Sequence, residues 1–445
     1  MAGWYAVTRV VVVAVLAIAV AVDLRGQEAS AGAGAVSGAG AVAGAGTFAG
    51  VWTPAGMGEV ARETWDRLNA WDAQWMRDIA ERGYFGLGEV DGDPGHWRSL
   101  AFFPLMPYLI RAVSFVTFLP ADWAGALISL VAGVAFAFAA AALAGRMGAP
   151  RRAMVLASVA VTTAPMAVVM LMPYTEALFL ALAGWGLVAV VDKRWGRAAV
   201  LFLLAGLTRS TALGLFLVLA VAVLAGDRRN PRAWAAVAVA PVGWAAYLAW
   251  SSARLSDAGG YFGAQARGWN SEVDGGAATL RWLWRSFFES RETGYFVSAA
   301  VIVAVAATLA WAFAEWAVAR ILAWRAGQRG GAGERGDAGE RDEVVDPAPS
   351  AVGDRTYSAA AFVDRWGACW PVLVFSCLAV GQVLVSDGLM HSRPRLFLSG
   401  VLVLLVFAAP LARMRAFARA WVLAAWVLGS AWVGAYMLVP FPWAI

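Results

Sequence analysis

The 445-residue chain has few charged residues. Only 15% of its residues are charged and 61% are hydrophobic, whereas soluble globular domains carry about a quarter charged residues. This balance excludes a soluble cytosolic enzyme, because such a chain lacks the polar residues to cover its surface. Long apolar runs recur throughout the sequence. They predict an all-α polytopic membrane protein.

Cysteine, histidine and lysine are also scarce. The two cysteines, Cys369 and Cys377, share one apolar run, which excludes a disulfide framework and a cysteine metal site. The two histidines, His96 and His391, are too few for a histidine-rich metal site. P-loop, GxGxxG and HExxH motifs are absent, which argues against a pump with its own ATPase. We therefore predict no metal-ligating residues and no certain cofactor. A divalent cation is the one cofactor that the sequence leaves open.

Lys193 is the only lysine, so the net charge of +5 comes almost entirely from arginine. In a membrane protein such a balance predicts positive cytoplasmic loops and not binding to nucleic acid.

The first hundred residues divide into three parts. Residues 1–22 are predicted to be the first transmembrane helix, with a cleaved signal peptide as the alternative. Residues 23–50, rich in Gly and Ala, predict a flexible tether. Residues 51–100 predict an external loop whose apolar residues, from Trp71 to Ile79, recur at the spacing of an amphipathic interfacial helix.

The remainder is predicted to be a transmembrane core at 101–323 with an external loop at 253–295. A disordered cytoplasmic linker follows at 324–366, and C-terminal transmembrane helices occupy 367–445. Basic breaks between apolar runs are expected on the cytoplasmic side. They are Arg146/Arg151/Arg152, Lys193/Arg194/Arg197, Arg228/Arg229/Arg232 and Arg413/Arg415/Arg419.

This sidedness conflicts with a simple count of the runs. If run 101–119 crosses the membrane fully, the first two basic breaks fall on the outer side. Either run 101–119 is re-entrant, or run 198–226 is a bent hairpin around Thr208-Arg209-Ser210. We favour the re-entrant element, because Pro104 and Pro107 lie in that run, and expect ten or eleven transmembrane helices.

Several polar groups stand at the ends of apolar runs on the predicted outer side, and charges there usually face a cavity or a partner. A carboxylate such as Asp72 can take a proton from a hydroxyl, and arginines such as Arg209 and Arg395 can bind a phosphate. The alternatives are an exposed charge for Asp72, a helix N-terminal acid for Glu176 and snorkelling side chains for the arginines.

Six segments, in order, resemble the PIG-V family, the GPI mannosyltransferase 2 family with its bacterial relatives. They span about residues 65 to 400. The segments are Trp71-Asp72-Ala73 with Ile79-Ala80 and Gly83-Tyr84, Ala101-Phe102-Phe103-Pro104-Leu105-Met106-Pro107, Tyr174-Thr175-Glu176-Ala177-Leu178-Phe179, Gly206-Leu207-Thr208-Arg209-Ser210, Tyr261-Phe262 with Gln265 and Gly268-Trp269, and Pro394-Arg395-Leu396-Phe397.

The resemblance implies a C-type glycosyltransferase-like bundle that moves mannose, with inversion, from a polyprenyl-phosphate-mannose donor. The acidic residue of the first external loop, Asp72, is the implied catalytic residue. The predicted donor phosphate-binding residues are Arg209, Arg393 and Arg395. The predicted substrate-binding residues are Trp71, Tyr174, Glu176, Tyr261, Gln265, Trp269 and His391.

The expected partners are the bilayer, this lipid donor, and a glycolipid, glycan or protein acceptor. The protein is expected to be multi-pass in the plasma membrane, with its active site facing outside. Two other functions stay open. One is a transporter or flippase for a lipid-linked sugar, and the other is a non-catalytic scaffold for envelope synthesis.

Overall fold

The computed structural model describes residues 1–35, 53–333 and 365–443, which are almost entirely helical. The first ten helices are α1 (Ala2–Ala35), α2 (Pro54–Leu68), α3 (Asp72–Arg82), α4 (Gly95–Ser99), α5 (Leu105–Thr117), α6 (Ala121–Arg146), α7 (Arg151–Thr162), α8 (Thr175–Val191), α9 (Trp195–Gly206) and α10 (Leu213–Gly226). The others are α11 (Pro231–Val239), α12 (Val242–Arg254), α13 (Gly260–Trp269), α14 (Ala277–Phe288), α15 (Thr293–Gly333), α16 (Arg365–Leu384), α17 (Arg393–Leu396), α18 (Ala408–Arg413) and α19 (Ala416–Leu438).

Shorter elements complete the chain. A small antiparallel hairpin pairs β1 (Glu89–Val90) with β2 (Asp93–Pro94). Turns of 3₁₀ helix occur at Ala167–Met170, Ser210–Ala212, Ser256–Ala258, Met390–Ser392 and Phe397–Phe407.

Within the described residues, six helical segments are long and apolar enough to cross a membrane. They are Ala2–Gln27, Ala121–Arg146, Pro231–Arg254, Thr293–Leu322, Met390–Arg413 and Ala416–Leu438. This confirms an all-α polytopic membrane protein. Five shorter apolar helices accompany them, so the number of ten or eleven transmembrane helices stays a prediction.

Two short elements bear on the number of membrane crossings between the basic breaks. Helix α5 has 13 residues, or about 20 Å, and cannot cross a hydrocarbon core of about 30 Å. Helices α9 and α10 form a bent hairpin, which is the second of the two options given above for the basic breaks. Its turn lies at Arg209, where the backbone is extended and Gly, Thr and Ser weaken the helix.

The two ends of this hairpin show how the basic breaks are arranged. Trp195, at the start of α9, donates to Asp227, just after α10, at 2.6 Å. The Arg146 guanidinium, at the end of α6, binds the Asp192 carboxylate at 2.6 Å. Three basic breaks therefore lie at one end of the bundle, which we call the basic end. Arg209 lies at the opposite end.

Helix α1 packs into the bundle through a buried arginine. Arg9 is 4% exposed and donates to the carbonyls of Thr162 and Ala167, where α7 has ended. Its guanidinium also lies 4.8 Å from the centre of the Tyr5 ring. Arg9 thus satisfies carbonyls that a broken helix would otherwise leave unbonded inside the membrane.

Close helix packing relies on glycine at two positions. A Cβ on Gly186 of α8 would lie 2.3 Å from the Phe202 ring of α9, and one on Gly133 of α6 would lie 1.8 Å from the Tyr5 hydroxyl. Small residues at such contacts let membrane helices approach each other.

Two helices extend beyond the boundaries predicted from the sequence. Helix α1 continues past Val22 to Ala35, so the first part of the predicted 23–50 tether is helical. Helix α15 continues to Gly333, beyond the predicted start of the linker at 324. Alanine supports a helix strongly, and alternating Ala and Gly therefore does not by itself end one. The rest of the tether and most of the 324–366 linker lie outside the described residues.

We predict that the basic end faces the cytoplasm. With Cys369 and Cys377 replaced by serine, a membrane-impermeant maleimide should label Asp257→Cys in intact cells and should label Arg229→Cys only after permeabilisation. Both positions are exposed. The reason is the bias of arginine towards cytoplasmic loops, and the reverse labelling pattern would invert the topology.

Candidate functional site

Four charged residues from separate parts of the chain meet at the end of the bundle opposite the basic end. Asp72 begins α3, Glu176 lies in the first turn of α8, Arg209 lies at the turn between α9 and α10, and Arg395 belongs to α17. We call these four residues the charge cluster.

The cluster alternates acid and base. The Arg395 Nη1 lies 2.7 Å from the Asp72 Oδ2, and its Nε lies 3.5 Å from the Glu176 Oε1. The Arg209 Nη1 lies 2.6 Å from the same Glu176 oxygen. Arg209 also donates to the Thr175 hydroxyl at 3.0 Å. Glu176 therefore holds both arginines together, and the formal charges of the four side chains cancel.

Local sequence positions both carboxylates at helix N-termini. Pro173 and the extended backbone of Tyr174 set the start of α8 just before Glu176. Trp71 precedes Asp72 with a positive φ of 54°, an uncommon conformation for a bulky residue. Acids in a first turn interact favourably with the helix dipole.

Tyr174 forms the floor under Arg395. The ring centre lies 5.1 Å from the Arg395 guanidinium, which allows a cation–π contact. The Tyr174 hydroxyl donates to the Ala70 carbonyl at 3.2 Å, and Ala70 is two residues from Asp72. Tyr174 thus joins the start of α8 to the segment that carries Asp72.

Asp72 is the accessible member of the cluster. Its side chain is 25% exposed, against 3% for Glu176, 11% for Arg395 and 14% for Arg209. Partial burial raises the pKa of Asp72 above its usual range, while the charge of Arg395 opposes that rise. A carboxylate with a raised pKa is a better proton acceptor than an exposed aspartate.

The 253–295 loop, which we call the second loop, contacts the segment just after the 51–100 loop without joining the charge cluster. Tyr261 and Gln265 of α13 both donate to the Ala101 carbonyl, at 3.2 and 3.3 Å. These contacts make them supports for the segment that contains Phe102.

Trp269 also contacts this segment. It packs edge-on against Phe102, with ring centres 5.7 Å apart, and Phe102 stacks on Trp75 at 5.9 Å. Trp75 lies one helical turn beyond Asp72, so these three rings form an aromatic wall beside the accessible carboxylate.

Two predicted residues point elsewhere. Arg393 is 2% exposed and donates to the Thr279 hydroxyl and the Ser386 carbonyl. It clamps the second loop, and no contact of the described residues joins it to the cluster. His391 packs among Tyr295, Phe441 and Trp443. The structure thus gives Arg393 and His391 positions that do not support their predicted binding roles.

Sequence reasoning missed the shared role of Glu176 and the contribution of Trp75. Glu176 was expected to bind substrate, but it is nearly covered and serves as the counter-ion of two arginines. Trp75 was seen only as part of an amphipathic helix. Trp71, also expected at the substrate, packs against the main apolar core while its backbone leads into α3.

Among the described residues, no group of three or more His, Cys, Asp or Glu side chains could hold a metal ion. The two carboxylates of the cluster are each bound to arginine. An anion that binds here would compete with Asp72 or Glu176 for the guanidinium groups.

No family model, curated protein or solved structure matches the chain.

We predict that Glu176→Gln destabilises the protein by about 3–5 kcal/mol, because removing one partner of a buried ion pair leaves charges without compensation. The measurement is the denaturation midpoint of purified protein. The matched control is Asp192→Asn, which breaks the more exposed pair with Arg146 and should cost about 0–1 kcal/mol. Equal effects of the two substitutions would show that the cluster is not a buried network.

Proposed function

We propose that the protein is a membrane mannosyltransferase. It transfers mannose from a polyprenyl-phosphate-mannose donor to an extracytoplasmic acceptor, with inversion at the anomeric carbon. The observation that carries the proposal is the Asp72–Arg395 pair, an accessible carboxylate at 2.7 Å from an arginine that a second arginine supports through Glu176.

The chemistry needs the two kinds of group that the cluster brings together. The acceptor oxygen forms a bond to the anomeric carbon while the bond from that carbon to the phosphate oxygen breaks. Asp72 accepts the proton of the acceptor hydroxyl. The phosphate leaves with the bonding electrons, and its charge is stabilised by Arg395 with support from Arg209.

Donor binding also prepares the base. Arg395 contacts Asp72, and its charge opposes the rise in the Asp72 pKa that burial causes. A donor phosphate competes for the same guanidinium, and its negative charge disfavours ionised Asp72. Both effects raise the pKa of Asp72 and make it a stronger base once the donor is bound.

The resemblance of six segments to the PIG-V family supports mannose as the transferred sugar. The segments around Asp72, Glu176, Arg209 and Arg395 are separated in sequence, yet all four charges meet in one site. The positive-inside bias of the arginines supports a site that faces away from the cytoplasm, which in a plasma-membrane protein is the outside.

We expect Asp72→Asn to reduce mannose transfer by about 10²–10⁴-fold, because it removes the general base while keeping the side-chain shape. The assay follows radiolabel from polyprenyl-phosphate-mannose to endogenous acceptors in membranes. Donor binding should persist in the variant, since Arg209 and Arg395 are unchanged.

Asp66→Asn and Asp78→Asn are the controls. Asp66 lies on α2 and Asp78 lies towards the end of α3, and neither belongs to the charge cluster. Near-normal transfer by Asp72→Asn together with loss in Asp66→Asn would move the base to Asp66. Absence of transfer by the wild-type protein, with movement of the lipid-linked sugar across the bilayer, would favour a flippase.

The pH dependence of transfer offers a separate check. A general base acts only when deprotonated, so transfer should fall as pH decreases through the raised pKa of Asp72. Arg395→Gln removes an attraction that lowers this pKa, so the acid limb of kcat/KM should move to higher pH. Arg209→Gln should move the limb less, because Arg209 contributes the weaker attraction. An acid limb that both substitutions leave unmoved would remove Asp72 from the assignment.

A further inference from the structure

Helix α14, in the second loop, carries an apolar stripe that the rest of the described chain leaves exposed. Leu280, Trp284 and Phe288 recur at every fourth residue, so they share one face of the helix. Their exposed fractions are 71%, 61% and 70%. The Trp284 ring also packs against the Phe288 ring, with centres 4.6 Å apart. We call these three side chains the α14 stripe.

The opposite face of α14 is fixed on the protein. Thr279 and Ser286 are buried, and Leu283 packs against a buried apolar cluster that α15 and α16 supply. The Thr279 hydroxyl donates to the Leu384 carbonyl at 2.7 Å and accepts from the Arg393 guanidinium. Because this face is held in place, the α14 stripe is directed away from the bundle.

The packing of α14 along α15 places the stripe at the membrane surface. The apolar span of α15, Thr293–Leu322, is long enough to cross a membrane, and only four residues separate it from the end of α14. Phe287 packs edge-on against Phe296 at 5.5 Å between ring centres, and Trp282 packs against Tyr295 at 6.0 Å. Tyr295 and Phe296 belong to the first turn of α15. Helix α14 therefore lies beside the point where α15 enters the hydrocarbon core.

Two arginines border the α14 stripe. Arg281 and Arg285 are exposed, lie one helical turn apart, and each directly follows a stripe residue in sequence. Neither takes part in the salt bridges found among the described residues. Asp274, the acid just before α14, accepts from the Gly276 amide at 2.9 Å and from the Ala278 amide. Its carboxylate thus serves the start of the helix.

The arrangement of apolar and charged side chains matches the surface of an anionic lipid layer. Leucine, tryptophan and phenylalanine on one face, with arginines beside them, are typical of a helix that lies in the membrane interface. Arginines near a bilayer surface attract anionic headgroups. Glu289 and Glu292 come after the last residue of α14, so their charges lie beyond the stripe.

We propose that α14 is a docking surface for anionic phospholipid at the charge-cluster end of the bundle. The α14 stripe enters the lipid chains, and Arg281 and Arg285 bind the headgroups. Arg393 joins Thr279 of α14 to the Ser386 carbonyl and lies two residues before Arg395. The lipid contact therefore holds the second loop against the membrane beside the segment that carries Arg395. This inference does not depend on the proposed function.

The test measures the contact of α14 with two lipids in the full-length protein. With Cys369 and Cys377 replaced by serine, Ala277→Cys carries the fluorophore NBD. Ala277 is exposed, begins α14, and lies about two helical turns from Trp284 on the same face. The nanodiscs are made of phosphatidylcholine with a small fraction of doxyl-labelled phosphatidylglycerol or doxyl-labelled phosphatidylcholine. The doxyl group quenches the fluorophore only when the two are close.

The charge variant is Arg281→Gln/Arg285→Gln. Its matched control is Arg254→Gln/Arg267→Gln, which removes the same charge from exposed positions of the second loop outside α14. In the wild type, phosphatidylglycerol should associate with α14 at least about tenfold more strongly than phosphatidylcholine at low salt, because each arginine contributes about a fivefold factor.

The charge variant should bring this preference close to one, while the control should keep it. Quenching by phosphatidylcholine should be unchanged in the charge variant, which shows that the protein is folded and α14 still meets the bilayer. A stripe variant, Leu280→Ser/Phe288→Ser, should lose most of the quenching by both lipids, because its apolar anchors are gone.

Four results would overturn the proposal. Absence of quenching by both lipids in the wild type would leave the α14 stripe to a protein partner. Equal quenching by the two lipids would remove the selectivity for anions. A preference that persists in Arg281→Gln/Arg285→Gln would remove these arginines from the assignment. An equal loss of preference in the control would assign the effect to the net charge of the second loop. None of these measurements requires transfer of mannose.

Discussion

The structure depends on pairing two largely covered arginines, Arg209 and Arg395, with acids inside an apolar bundle. Charges removed from water are costly unless opposite charges and hydrogen bonds compensate them. Glu176 supplies that compensation at 3% side-chain exposure, with Arg209 at 2.6 Å and Arg395 at 3.5 Å. Because the partners come from α8, the α9–α10 turn and α17, this one carboxylate joins three distant parts of the chain.

The same constraint explains why several helices are short or interrupted. Arg209 can reach Glu176 because the apolar run 198–226 turns at this residue instead of crossing as one helix. Helix α8 begins at the depth of the cluster, after Pro173, so that Glu176 lies in its first turn. Backbone groups released by these breaks are bonded locally, as when the Leu105 amide donates to the Leu207 carbonyl at 2.9 Å. Irregular backbone within a membrane protein is tolerated where protein covers it.

The sequence predicted the all-α membrane fold class and named all four residues of the cluster as site residues, since a charge beside an apolar run is conspicuous. It could not tell Arg395 from Arg393, two residues away. Residues two apart on a helix point to different sides, so Arg395 reaches Asp72 whereas Arg393 reaches Thr279 in the 253–295 loop. Glu176 was noticed, but its pairing with two arginines depends on a three-dimensional meeting that spacing does not encode. The ends of α1 and α15 lie beyond the predicted boundaries, because alanine-rich segments are compatible with both helix and tether.

The neutrality of the charge cluster bears on how the phosphate product would be released. Within the cluster two carboxylates balance two guanidiniums, so a donor phosphate adds negative charge to a set that is already satisfied. A proton on the accessible carboxylate, Asp72, offsets this charge, and Asp72 stays ionised until the acceptor hydroxyl supplies the proton. Transfer supplies that proton from the acceptor hydroxyl, after which Arg395 is left to the phosphate product. Loss of the proton to water restores the Asp72–Arg395 pair and weakens the hold on the phosphate. The Asp72–Arg395 ion pair would thereby also promote release of the phosphate product.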